Sequence, residues 1–288
     1  MASQPSLDAL RAEIDAIDDS LHDLLMRRAA VSEQVRMAKQ AARPVLFRAG
    51  REAAIIKRLL SRHGGPLPPE AIIQVWREII GSSTRLQGPF AVAVYAASPV
   101  ELDLARAQFG VLTPLLPMSS IGPVLAALDD GQAQLGVLPM PEDTPDEPWW
   151  RGCGGSGEDA LQILARLPFA ATALQPSALI VGRQAFEPTG DDRGYLVLET
   201  DGDISRARLS AALTKIGLAP RGFPAEARVA DGRGAARPLL LVEVEDYAAP
   251  GDTRLDALRE AAGPGLIAAR SIGGYAVPIQ LGKPRTRK

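Results

Sequence analysis

The sequence predicts a multidomain chain. An N-terminal all-α domain of three helices covers residues 1–88, an α/β domain covers 89–190, and a ferredoxin-like α+β domain covers 191–288. Three observations predict it. The apolar residues of the first segment step by three and four, the period of a helix that buries one stripe. From Phe90 onward, short aliphatic runs ("FAVAVYA", "AQLGVLP", "ALIVGR") alternate with helical patterns, as in α/β folds. The last third reads strand, helix, strand, strand, helix, strand, which is the ferredoxin-like order.

The first helix runs from Ser6, a candidate N-cap, to about Ala42. Its seam is Leu7, Leu10, Ile14, Ile17, Leu21, Leu24, then Val31, Val35 and Ala38. A seam this long suits a bundle or coiled-coil helix that pairs along its length. Pro44 ends it. A second helix starts near Ala49–Arg51, carries Ile55, Ile56, Leu59 and Leu60, and stops at "HGGPLPP". A third starts near Pro69, a favoured first-turn residue, and runs to about Gln87 before Gly88-Pro89. Beyond Phe90, "PVELDLARAQFG", "SIGPVLAALDDG" and "EDALQILARL" read as helices and "ALIVGR" as a strand. From Asp191 the order is strand "YLVLET", helix "ISRARLSAALTKIG", a strand near "APRGFPAEARVA", strand "PLLLVEVEDY", helix "TRLDALREAAG" and strand "YAVPIQL".

Composition narrows the functional classes. A formal net charge of −2 provides no field towards nucleic acid or anionic membrane. The basic ending "KPRTRK" reads as a solvated tail. The single cysteine, Cys153, rules out an internal disulfide framework and fits a reducing compartment. It sits in "RGCGGSG", with both histidines, His22 and His63, far upstream, so a nucleophilic role is not expected. The N-terminus has no apolar signal region, and no run approaches the roughly 18 apolar residues of a membrane span. The expectation is a cytoplasmic protein with no metal or other cofactor and no nucleic-acid or membrane partner.

The seam contains one anomaly. Between Leu24 and Val31 the apolar position is occupied by Arg28. Lys39 lies eleven residues later on the same face, about 16 Å along the axis. Arg51 and Glu52 open the second helix, and Ser83 and Gln87 share a face of the third. This set of three cations, a carboxylate, a hydroxyl and an amide suits a small polyanion whose charge shifts during reaction; it contains no activated nucleophile. A seam arginine is also compatible with snorkelling or an internal carboxylate, so the joint pattern carries the reading. Arg11 lies about 25 Å before Arg28 on the same helix. Both reach one small ligand only if the helix pairs antiparallel with a second copy, the commonest kind of symmetric assembly.

These residues closely resemble the all-α chorismate mutase family. The matching segments are "LDALRAEIDAIDDSLHDLLMRRAAVSEQVRMAK", "GREAAIIKRLL" and "WREIIGSSTRLQ". The resemblance implies an intertwined helical homodimer that rearranges chorismate to prephenate in phenylalanine and tyrosine biosynthesis. It implies that Arg28, with Arg11 from the partner subunit, holds the two carboxylates. Lys39 and Gln87 would hydrogen-bond the ether oxygen, Glu52 would accept from the ring hydroxyl, and Arg51 and Ser83 would line the site. Arg48 departs from the pattern by standing where the family often has Asp.

Residues 90–281 resemble, more weakly, a prephenate dehydratase domain followed by an ACT domain. The carrying segments are "LDDGQAQLGVLPMPED" and "ALIVGRQAFEPTGDDRGYLVLET". The expected Thr-Arg-Phe is replaced by Pro176, Ser177 and Ala178, and the expected Glu-Asn by Pro141-Glu142. The length before Gly182 accommodates about half of a two-lobed dehydratase. The reading is a truncated, non-catalytic region. The alternatives are a bifunctional mutase–dehydratase, a metabolite- or partner-binding scaffold, and a lyase acting on the related isochorismate on the same helical fold. Trp149-Trp150 reads as the cap of a truncated core or as a partner contact.

Overall fold

The computed structural model describes residues 5–38, 45–155, 157, 159–171, 176–230 and 236–281. Three helices come first: α1 (Leu7–Ala38), α2 (Ala49–Ser61) and α3 (Pro69–Gln87). Ser6 caps α1, its Oγ accepting from the Ala9 N–H at 3.2 Å. Helix α1 is 32 residues long and buries none of them. Leu7, Leu10, Ile14, Ile17, Leu21 and Leu24 are all exposed. Arg28, Ala29 and Ser32 are its half-buried positions.

Helices α2 and α3 do bury a face, and they bury it against the α/β part of the chain. Phe47, just before α2, joins Phe90 and Phe109 in one core. Ala53 and Ile56 of α2 pack with Phe169 and Ala276 in another. At Gly81 on α3, an added Cβ would stand 2.1 Å from the Phe109 carbonyl oxygen, so the approach admits no side chain.

The remainder is β1 (Val92–Tyr95), α4 (Pro99–Phe109), β2 (Leu115–Met118), α5 (Ile121–Asp129), β3 (Leu135–Pro139), β4 (Leu161–Leu167), β5 (Ala170–Ala171), β6 (Ala178–Arg183), β7 (Asp192–Thr200), α6 (Arg206–Lys215), β8 (Pro220–Ala230), β9 (Ala236–Val244), α7 (Thr253–Ala262), β10 (Leu266–Ala276) and β11 (Ile279–Gln280). Nine strands form one sheet in the order β2-β1-β3-β6-β4-β10-β7-β9-β8. Strand β1 pairs in parallel with β2 and β3, and β6 then runs antiparallel between β3 and β4. The β10-β7-β9-β8 end with α6 and α7 has the ferredoxin-like connection order expected from the sequence. The two halves meet where Gly273 of β10 pairs with Ile163 of β4. Gly273 has φ +106, and a Cβ there would lie 2.1 Å from the Ile163 oxygen. Only glycine satisfies both the dihedral and the space.

Two local expectations are corrected. "EDALQILARL" is not helical: its core is strand β4. Its Glu, Ala, Leu and Gln favour a helix, but the segment lies mid-sheet with both faces covered, and tertiary context overrides propensity. A bulge between Ile163 and Ala165 breaks the alternation that would have marked a strand. The final long strand starts at Leu266, not at Tyr275, and Val277-Pro278 separates it from β11. Strand β2, "LLPM", is one that the sequence pattern does not announce. Trp149 and Trp150 are 6% and 1% exposed and belong to the main core, so they cap it rather than face a partner.

Candidate functional site

Helix α1 crosses α3 at Arg28. The guanidinium donates from Nη1 to the Ser83 hydroxyl and, at 3.4 Å, to the Ile79 carbonyl. Ser83 in turn donates to Ile79 O at 2.7 Å, and Gln87 Nε2 donates to Ser83 O at 3.2 Å. These are helical i, i+4 contacts, so Ile79, Ser83 and Gln87 form one stripe of α3 facing Arg28. Arg28 is held below the usual arginine pKa, first by burial and then by the charge of Arg51. Arg28, Arg51, Ser83 and Gln87 therefore gather at one place. Among the described residues no carboxylate pairs with Arg28 or Arg51. Arg28 is half-buried and Arg51 is exposed, so desolvation of a charge bears on Arg28 alone.

Arg11 and Lys39 are not among these gathered residues. Arg11 is exposed and ion-paired with Asp8 at 3.4 Å, far along α1 from Arg28. Lys39 falls outside the described residues.

Glu52 has a different set of partners. It is 8% exposed, and its Oε2 accepts from Arg77 Nη1 at 2.7 Å and from Gln108 Nε2 at 3.1 Å. Arg77 also lies over the Phe169 ring, 5.8 Å from its centroid. The cavity touching Glu52, Arg77, Gln108 and Phe169 is about 20 Å³, room for a single water and not for a metabolite. Burial pushes the Glu52 carboxyl up to about 7, against the pull of Arg77, and burial likewise lowers Arg77. The expected ring-hydroxyl contact from Glu52 thus competes with a closed internal ion pair. Arg48 points away too, towards an ion pair with Glu187 in the loop before β7. Sequence reasoning missed Arg77 and Gln108. Arg77 carries a faint signal as a charged residue between the apolar positions Trp76 and Ile79–Ile80; Gln108 carries none.

A second polar cluster occupies the seam between the two halves of the sheet. Arg166 of β4 donates to the Tyr275 hydroxyl at 3.3 Å and to Ser177 Oγ at 3.4 Å. Tyr275 donates to Glu243. Burial is the main cause that raises the carboxyl of Glu142 above its ordinary range, and the charges of Arg166 and Glu243 also act on it. Cys153 is buried and its thiol is pushed up to about 12, which makes it inert as a nucleophile. Among the described residues no group of three or more His, Cys, Asp or Glu is placed to hold a metal ion, and no helix is long and apolar enough to cross a membrane.

Known proteins share parts of this chain. Residues 10–88 match the family described as chorismate mutase type II. A bifunctional chorismate mutase/prephenate dehydratase from Pseudomonas aeruginosa is 31% identical over 150 residues, covering 50% of this chain and 41% of that protein. Its counterpart from Aquifex aeolicus is 30% identical over 139 residues, covering 46% and 38%. The matched half is longer than the first 88 residues, so the likeness continues past α3. The chain spans about two fifths of the length of these curated relatives. An X-ray structure of prephenate dehydratase from Streptococcus mutans superimposes with TM-score 0.44 at 17% identity, covering 67% of this chain and all of that one, a likeness too loose to transfer any property. Residues 10–88 thus form a chorismate mutase type II domain, an isomerase domain, and the chain continues into a region that is prephenate dehydratase-like.

Proposed function

We propose that the protein converts chorismate to prephenate at a site formed by Arg28, Arg51, Ser83, Gln87 and Lys39, completed by Arg11 of the partner subunit. The observation that carries the reading is the arginine couple: Arg28, fixed on α3 by Ser83 and Ile79, beside Arg51, with no carboxylate paired to either among the described residues. Arg28 holds one substrate carboxylate, and Arg11 of the partner subunit holds the other. The unpartnered apolar seam of α1 supports the second copy, since an antiparallel α1 pair would cover it and bring Arg11 across.

The chemistry is a unimolecular rearrangement in which one C–O bond breaks as one C–C bond forms, with no external proton, electron or cofactor. The site holds the reactive conformer and stabilises negative charge growing on the ether oxygen. Lys39 and Gln87 supply the donors for that oxygen. Glu52 is assigned no contact with substrate, because its carboxylate is already bound by Arg77 and Gln108.

The region after residue 88 is proposed to carry no dehydratase activity. Pro176, Ser177 and Ala178 stand where the resemblance requires Thr-Arg-Phe, and Ser177 is bonded to Arg166. The test is to incubate purified protein with chorismate and assay prephenate and phenylpyruvate separately, with and without phenylalanine or tyrosine. Prephenate alone, at a rate insensitive to either amino acid, is expected. Phenylpyruvate would establish the bifunctional reading, and no loss of chorismate would defeat the mutase.

A further inference from the structure

Helix α2 carries consecutive residues with opposite surroundings. Arg51 is exposed and acts on Arg28, whereas Glu52 is buried against Arg77 and Gln108. Successive residues are fixed about 100° apart on a helix. Any rotation of α2 that releases Glu52 therefore moves Arg51. Arg77 belongs to α3, whose Ile79 and Ser83 already anchor Arg28. Gln108 belongs to α4, twenty residues past the end of the matched family segment.

We propose that Gln108 is a positioning residue for the mutase site: with Arg77 it clamps Glu52, fixes the rotation of α2, and so presents Arg51 to the Arg28 cluster. This rests on the proposed mutase function of that cluster. The rest of α4 is placed to make the clamp stiff. Its buried residues Ala105 and Phe109 are apolar core, and a buried amide between them is explained by the carboxylate it meets. The turn ending α4 is tied to α3: Glu78 accepts from the Val111 N–H at 3.1 Å, and Gly81 abuts the Phe109 carbonyl. Helix α2 is held elsewhere as well, through Lys57 to Asp191 at 2.6 Å and through Gly50, where a Cβ would meet Glu187 O at 2.7 Å. The prephenate dehydratase-like region thereby acts as a jig for the isomerase domain, whether or not it has chemistry of its own.

The experiment uses the full chain with Gln108→Leu, Glu52→Gln and the double variant, and Gln108→Met as a second variant should the leucine fail to fold. Asp103→Asn, on the exposed face of α4, is the control and leaves every readout unchanged. Gln108→Leu is expected to lower kcat/KM for chorismate about tenfold or more, as small misplacements of site groups do. On the Glu52→Gln background the same change adds little, because both act through one contact. Amide exchange in α2 rises in Gln108→Leu, and exchange in α6 and α7 does not. Unchanged α2 exchange overturns the clamp. Raised exchange with unchanged kcat/KM, or full additivity with Glu52→Gln, overturns the positioning role. A wild-type protein that leaves chorismate intact defeats the functional reading instead, and α2 exchange then decides the clamp on its own.

Discussion

Arg28 stands in an apolar seam for a reason visible at atomic scale. Its hydrogen bonds go to the Ile79 carbonyl and the Ser83 hydroxyl, neutral groups that orient a guanidinium without neutralising it. In the proposed function its charge is met by a substrate carboxylate, with Arg51 beside it. Arg28→Ala should leave helix content unchanged and reduce chorismate turnover by about 10³-fold, the scale seen when a charge-stabilising donor is removed; near-normal turnover with impaired folding would make Arg28 structural. Lys39→Ala should lower kcat far more than it raises KM, because its contact strengthens as the ether bond breaks. Steady-state kinetics checks this, and a raised KM at normal kcat contradicts it. Glu52 titrates on its own terms. Its folded carboxyl sits at about 7, above the ordinary 4.5, so between those values the folded chain keeps a proton that the unfolded chain has released. This group's contribution to stability is therefore largest below that window and is lost as pH rises through about 7. The difference in urea midpoint between wild type and Glu52→Gln should change between pH 5 and pH 8, favouring wild type more at the lower value; a constant difference would place Glu52 outside a buried pair. Arg28 was legible as a charge in an apolar seam, and Ser83 and Gln87 as one stripe of a helix, whereas their meeting is a tertiary contact that the spacing does not give. The partner that occupies Glu52 was not legible, because Gln108 is remote in sequence and joins it only through tertiary packing.

At the scale of elements, α1 is the long helix that the single chain does not bury. A helix of 32 residues is about 48 Å long, and none of it is buried. Within proteins, most helical stability comes from packing an apolar face. Ile17→Glu, in the middle of the seam, should shift the protein from dimer to monomer by light scattering and remove turnover, since each site would lose the partner's Arg11. A dimer that survives this change would be assembled elsewhere. The helices of the first 88 residues were readable because each carries a periodic stripe, and α2 and α3 end at the breakers "HGGPLPP" and Gly88-Pro89; the breaker expected at Pro44 lies outside the described residues. Strand β4 was not. It is covered on both faces, with Leu161 and Ile163 in one core and Leu164 and Leu167 in another, and its bulge removes the period-two signature. Strand β2 was missed because four residues with an internal proline offer no pattern to read.

At the scale of the whole molecule, the boundary near residue 88 separates sequence textures more than it separates structures. Phe47, Ala53 and Ile56 from the first segment are buried by residues of the second. Nine strands run through both later regions as one sheet, joined at Gly273 and Ile163. The isomerase domain is built into this body on one side and offers the bare seam of α1 on the other. Each proposed site therefore spans two subunits, with Arg28 from one and Arg11 from the other. Subunit mixing tests that directly. Arg11→Ala and Arg28→Ala are each expected to be inactive as homodimers. Mixed in equal amounts and allowed to exchange, half of the dimers are hybrids, and each hybrid contains one intact site and one doubly defective site. Chorismate turnover should then recover to about a quarter of wild type. No recovery after demonstrated subunit exchange, or full activity of Arg11→Ala on its own, would contradict a shared site.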